Sequence, residues 1–195
     1  MLYVNQLDYA HVHYEHNVAH GGVPIERQKV STSGCGLCSL CMVVDHLTMH
    51  KLSVEESVQL CYEAKANIIA GTRMGILGPV AAERFGMDFR MSRDINEAIA
   101  HLQAGGEVII NVGGDHDNYK GLYSKAGHYI VAIGYDGKEL CILDPSYKEN
   151  KYELEPHKGK IRVDYPFTYC DPQVIVDDTQ NRETPYYLFS RRKPL

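Results

Sequence analysis

The chain has 195 residues, 44% of them hydrophobic and 23% charged, and carries a formal net charge of -5 with its ten histidines neutral. That balance fits a single globular domain over residues 1–195 and excludes a chain too polar to bury a core. A mildly acidic sequence without a basic cluster argues against nucleic acid as a partner, and no apolar run approaches the roughly 20 residues that span a bilayer, so no membrane contact is expected.

Residues 1–34 are rich in Tyr, His and Gly and lack periodicity. They show no basic end followed by an apolar core, so no secretory signal is expected. His11, His13, His16 and His20 have the residue type of a metal site, but alternating histidines in an irregular segment read as plain surface residues. Six cysteines are present, and Cys35, Cys38 and Cys41 cluster within one short predicted helix. That clustering is unlike a secreted disulfide framework and favours a reducing, cytoplasmic setting. As zinc ligands the three fan around the helix, with no fourth ligand in view.

Leu37, Leu40, Cys41, Val44 and Leu47 share one face, which predicts a buried helix over 35–48. Ser53 and Glu56 form a capping-box pattern ahead of a helix over 54–64. Residues 71–75 read as a turn, followed by a helix over 76–85 stopped at Gly86, with Pro79 near its first turn. Asp94 caps a further helix, with Ile95, Ile99 and Leu102 on one face and Gly105 at its end. The pattern then becomes extended: a strand over 108–112, a polar mobile loop over 113–127, and a strand over 128–135. Asp136-Gly137 is a hairpin turn, and 140–143 is the partner strand, closed by Asp144-Pro145. A polar, Lys-rich connection follows, then strands at 174–176 and 186–189. Helices first and antiparallel strands second predict an α+β domain, N-terminal helices packed on a C-terminal sheet.

Cys35 falls where the buried helix begins. The free N–H groups and positive dipole end of a first turn favour a thiolate, the form that attacks carbon. His128 opens one strand of the hairpin and Asp144 ends the other. Direct antiparallel pairing would put their Cα atoms about 5 Å apart, within reach of an imidazole–carboxylate hydrogen bond. A thiol, a base and an orienting acid are the parts of nucleophilic catalysis. Two other patterns compete. Cys35-Gly36-Leu37-Cys38 has the Cys-x-x-Cys form of thiol-disulfide oxidoreductases, but follows polar Ser31-Thr32-Ser33-Gly34 rather than a buried apolar strand. Asp115-His116-Asp117-Asn118 resembles part of a calcium loop without its glycine and terminal glutamate.

Gly34-Cys35-Gly36 opening an apolar helix, then Gly127-His128-Tyr129-Ile130-Val131, then Leu143-Asp144-Pro145, resembles the papain-like peptidases related to bacteriocin-leader (double-glycine) processing enzymes. Their stand-alone branch is the best match, over about residues 23–145. The resemblance implies a papain-like fold, with Cys35 as nucleophile, His128 as base and Asp144 as orienting acid. It makes Gln28 the oxyanion-hole glutamine, slightly further upstream than in papain relatives. Leu37 stands where the family has proline. The resemblance implies no metal or organic cofactor and a peptide or protein substrate, with the oligomeric state left open. Similar sites, as in phytochelatin synthases, also perform transpeptidation and deamidation. The residues leave a non-catalytic peptide-binding module of the same fold open, whereas the lack of an ATP-binding motif or membrane segment argues against a full leader-processing exporter.

Overall fold

The computed structural model describes residues 1–15, 24–68 and 71–192. His16 and His20 of the histidine-rich stretch lie outside them. The N-terminal part contains two 3-10 turns, Gln6–Tyr9 and Ile25–Arg27, and the helices α1 (Val30–Ser33), α2 (Cys35–Leu47) and α3 (Val54–Glu63). Strands β1 (Asn67–Ile68) and β2 (Gly71–Thr72) pair before α4 (Met74–Phe85), β3 (Met87–Ser92) and α5 (Ile95–Gln103). The remainder is β4 (Glu107–Val112), β5 (His128–Tyr135), β6 (Leu140–Leu143), β7 (Ile161–Asp164), β8 (Phe167–Cys170), α6 (Pro172–Asp178) and β9 (Tyr186–Arg191).

Seven of the strands form one antiparallel sheet in the order β3-β9-β4-β5-β6-β8-β7. Its central strands are apolar at nearly every position because both faces are covered. Ile109, Tyr129, Val131, Leu143 and Phe189 pack with α2, α3 and α4. Val108, Ile110, Ile130, Ile142 and Leu188 pack on the other side with Ala98 and Leu102 of α5 and Ile175 of α6. This is the expected α+β, papain-like arrangement, with a second apolar layer added behind the sheet.

Local signals explain most element ends. Ser53 accepts from Glu56 N–H while the Glu56 carboxylate accepts from Ser53 N–H, so the capping box forms as read. Gly86 ends α4 at φ 67, a left-handed conformation that glycine adopts without a Cβ penalty. Asp94 caps α5 through Asn96 N–H.

Several expectations need correction. Val174-Ile175-Val176 is helical in α6: Asp171 caps it by accepting from Gln173 N–H, and Pro172 is pre-set for a first turn, so capping overrides β-branched propensity. The connection after Pro145 contains the β7–β8 hairpin, whose short alternating strands sit at the sheet edge. β3 is a further edge strand between the two helices. α4 starts at Met74, so Pro79 sits inside it rather than in its first turn, and the bond that an N–H there would make to Gly75 is missing. The loop over 113–127 is tied to the scaffold along its length. Asp178 accepts from the Leu122 and Tyr123 N–H groups and the Tyr119 hydroxyl, which pins the loop to the end of α6.

Leu40 lies wholly inside the layer between α2 and the sheet. Leu40→Ala is expected to cost about 2–5 kcal/mol in urea unfolding, while Met49→Ala, at a side chain 98% exposed, leaves the midpoint unchanged.

Candidate active site

Cys35 is the first residue of α2. Its position depends on two glycines. A Cβ at Gly34 would come within 2.7 Å of the Val30 carbonyl oxygen, and one at Gly36 within 2.9 Å of Thr72 Cβ and 3.1 Å of Tyr129 Cδ2. Without side chains at these positions, α1 abuts α2 and the start of α2 lies against β5. The Cys35 sulfur therefore lies near the first residue of β5, His128, close enough that each side chain shifts the other's proton affinity.

His128 Nε2 lies 2.8 Å from Asp144 Oδ1, which leaves Nδ1 as the ring nitrogen for the thiol. The route to this contact differs from simple cross-strand pairing. The loop between paired Tyr135 and Leu140 holds four residues, and a bulge falls between Ala132 and Gly134. Val131 then faces Leu143, so continued register sets Asp144 diagonal to His128 rather than opposite it. Diagonal neighbours stay within reach of a long side chain.

Asp144 has no exposed surface and is hydrogen-bonded on both oxygens. Oδ1 also accepts from Ser146 N–H at 2.8 Å and Ser146 Oγ at 3.1 Å. Oδ2 accepts from Lys151 Nζ and the Tyr152 hydroxyl, both at 2.5 Å. The N-terminal stretch fixes the same segment: Tyr3 OH donates to the Asp144 carbonyl at 2.7 Å, and Gln6 N–H to the Pro145 carbonyl at 2.7 Å. Sequence reasoning missed these partners. Ser146 had a signal, since an Asx turn bonds the N–H two residues on. Lys151, Tyr152 and Tyr3 had none, because long-range folding alone brings them to the carboxylate.

The charges follow from these contacts. Burial pushes the Cys35 thiol up, but the His128 charge, its hydrogen bond and the N–H groups of Tyr129 and Gly36 outweigh it, and the thiol lies below its ordinary value. Burial opposes charge on His128 too, yet Cys35 and then Asp144 raise the imidazole to about 9. Burial would raise Asp144, but Lys151 and His128 hold it well below the usual carboxylate range. The thiolate–imidazolium pair is thus the favoured state between the lowered thiol value and about pH 9.

Cys35 and His128 open into a cleft of about 540 Å³, whose walls include Thr72, Arg73, Tyr187 and Arg182. Gln28 lies between the Ile25–Arg27 turn and α1, half-buried, with its carbonyl accepting from Tyr14 N–H at 2.9 Å. Among the described residues, those lining the cleft do not include Gln28. Cys38 is fully enclosed in the core and burial raises its thiol well above the ordinary value, so it offers no accessible second thiol for exchange. Asp115 is occupied by Lys120 Nζ at 2.9 Å and Gly121 N–H at 3.0 Å. A second cavity of about 400 Å³ holds the His46–Glu107 pair at 2.9 Å, and among the described residues none on its walls is a thiol or hydroxyl nucleophile. Among the described residues no group of three His, Cys, Asp or Glu is placed to hold a metal, and no helix is long and apolar enough to cross a membrane.

The sequence profile of the Peptidase_C39-like family matches residues 20–170. The chain belongs to that family. Among solved structures, this C39-like chain is similar to a candidate C39-like peptidase from Bacillus anthracis, at 16% identity and a TM-score of 0.55, over 83% of this chain and 90% of that one. It is also similar to the peptidase domain of Streptococcus ComA, a bifunctional ABC transporter of a quorum-sensing pathway, at 17% identity and a TM-score of 0.49, over 82% and 93% of the two chains. No curated protein matches the sequence. The first of these structures supports the fold, and the family match makes the chain a peptidase relative.

The His128 ring reports the charge arrangement directly. Its NMR titration is expected near pH 9. Cys35→Ala removes its largest support and shifts the midpoint down. Lys151→Met leaves the Asp144 carboxylate uncompensated and shifts it up. A midpoint unmoved by Lys151→Met would show that the ammonium has no electrostatic hold on the site.

Proposed function

We propose that this protein is a cysteine peptidase that cuts a peptide or amide bond through Cys35, His128 and Asp144. The observation that carries this reading is the half-buried Cys35 thiol coupled electrostatically to an imidazole whose Nε2 lies 2.8 Å from a wholly buried carboxylate, with Cys35 and His128 on the wall of one cleft. A structural cysteine has no use for that arrangement, and it stands in an open cleft.

The thiolate attacks the carbonyl carbon, and the C=O electron pair moves onto oxygen. The N–H of Cys35, in the first turn of α2, holds the oxyanion, and the family resemblance assigns the second donor to Gln28, whose side chain would have to turn toward the cleft to serve. Collapse expels the amine, which takes its proton from the His128 imidazolium and leaves a thioester on Cys35. Neutral His128 then takes a proton from water, hydroxide attacks the thioester, and the thiolate departs. Asp144 keeps the ring oriented throughout. An amine replacing water in the last step would give transpeptidation from the same intermediate, and a side-chain amide as the first electrophile would give deamidation.

The test is turnover of a quenched-fluorescent peptide library by the full chain, with product masses measured. Cys35→Ala and His128→Ala should each lower kcat/KM by at least about 10³, and Gln28→Ala by about 10²–10³. Cys38→Ala should leave turnover largely intact, which separates this chemistry from disulfide exchange. The rate should rise through the lowered thiol value and fall through about pH 9, where the imidazolium is lost. Turnover that survives in Cys35→Ala would overturn the reading.

A further inference from the structure

The cleft beside Cys35 carries an excess of positive charge in a protein whose net charge is -5. Its walls hold two guanidiniums, Arg73 at the start of α4 and Arg182 in the connection from α6 to β9, against the carboxylate of Glu183. Glu183 is already engaged, with Arg93 Nη2 at 2.7 Å. Arg84, Arg90, Arg93, Arg162 and Arg192 each pair with a carboxylate. Among the described residues, Arg73, Arg182, Arg27 and Arg191 have none within 4.0 Å, and of these four only Arg73 and Arg182 line the cleft.

Arg182 is held in place by the scaffold. Its Nε and Nη2 donate to the Val112 carbonyl at 3.3 and 3.1 Å, and a Cβ on Gly127 would come within 2.5 Å of Nη2. Gly127 immediately precedes His128, so this charge stands at the start of β5 on the same cleft wall, and Nη1 keeps its donors for another acceptor. Arg73 is exposed and occupies the N-cap of α4 without capping it. A cation there opposes the helix dipole, so helix stability does not account for the residue. Burial raises the Tyr187 phenol, and both Arg182 and Arg73 pull against that rise, which sets the two charges around one part of the cleft.

We infer that the cleft selects a substrate bearing a carboxylate close to the bond that reaches Cys35, held by Arg73 and Arg182. A fixed guanidinium at the start of β5 and an exposed one elsewhere on the wall suit a carboxylate, which accepts paired N–H donors. The carboxylate belongs either to an acidic side chain or to the substrate's own C-terminus. The inference builds on the peptidase reading for the bond cut, but the charge preference is a property of binding and is testable without turnover.

The experiment uses the full chain as Cys35→Ala, with fluorescein-labelled short peptides followed by anisotropy. In one arm, amidated peptides carry Glu scanned through each position against Gln. In the other, all-Gln peptides carry a free C-terminus against an amide. At least about fivefold tighter binding of the carboxylate form is expected in one arm, which names the source. Arg73→Gln and Arg182→Gln should each remove most of that preference, and Arg182→Lys should retain part of it if Arg182→Gln fails to fold. Arg73→Glu should turn the preference at the same position toward Lys. Equal binding of carboxylate and amide forms in both arms overturns the inference, as does a preference unchanged in both arginine variants. Cleavage by the unmodified chain, measured separately, distinguishes the two failures. Turnover without charge preference sinks this inference alone. Preference without turnover sinks the peptidase reading alone.

Discussion

A carboxylate with no exposed surface has to be paired on both oxygens, because an ion taken out of water costs several kcal/mol unless its lost hydration is replaced. Asp144 meets that demand with His128, the N–H and hydroxyl of Ser146, Lys151 and Tyr152. The donors come from β5, from the turn after β6 and from the connection toward β7, while Tyr3 and Gln6 of the N-terminal stretch hold the adjoining backbone. The carboxylate is therefore where the N-terminal stretch and the sheet are tied together. A shift in any of these segments would leave a buried charge short of a partner, so the position of the His128 ring is set by the fold as a whole.

Lys151 changes what the carboxylate does electrically. With the ammonium 2.5 Å from Oδ2, Asp144 and Lys151 form a nearly neutral pair. The carboxylate still fixes the ring through Oδ1, but its attraction for the imidazolium is reduced. Among the influences that raise the proton affinity of His128, the Cys35 charge is the largest and the Asp144 hydrogen bond comes next. Orientation and charge stabilisation, combined in one residue in a bare carboxylate–imidazole pair, are here divided between two neighbours.

The central strands, the capped helices α3 and α5 and the position of Cys35 were legible in the sequence, because each rests on local patterns: an apolar run at period 3.6 or a continuous apolar strand, a capping box, a glycine-flanked thiol. The misreadings have a common cause in context. Val174-Ile175-Val176 carries strand propensity, and only the Asp171-Pro172 pair ahead of it marks a helix. The strands β3, β7 and β8 lie at or next to the edges of the sheet, where half-exposed side chains dilute the apolar pattern. Asp144 and His128 meet through a diagonal register that direct pairing does not predict, since neither the four-residue loop nor the bulge has a sequence mark strong enough to count residues by. Lys151 and Tyr152 read as part of a solvated, Lys-rich connection, and nothing local distinguishes a lysine that reaches a buried carboxylate from one that reaches water.

The ionised groups at the reacting centre cancel in pairs, thiolate with imidazolium and Asp144 with Lys151. Two such neutral pairs project little field beyond a few ångströms. The charge that an approaching molecule meets is then that of the cleft wall, where Arg73 and Arg182 stand without carboxylates. The largest stabilising influences on the Cys35 sulfur are His128 and the N–H groups of Tyr129 and Gly36. On the proposed reading, the chemistry and the selection of what undergoes it are carried by separate charges. The reactive pair can keep its balance of protonation while the wall residues vary, and a change at the wall alters which molecules enter without altering how the thiol is activated.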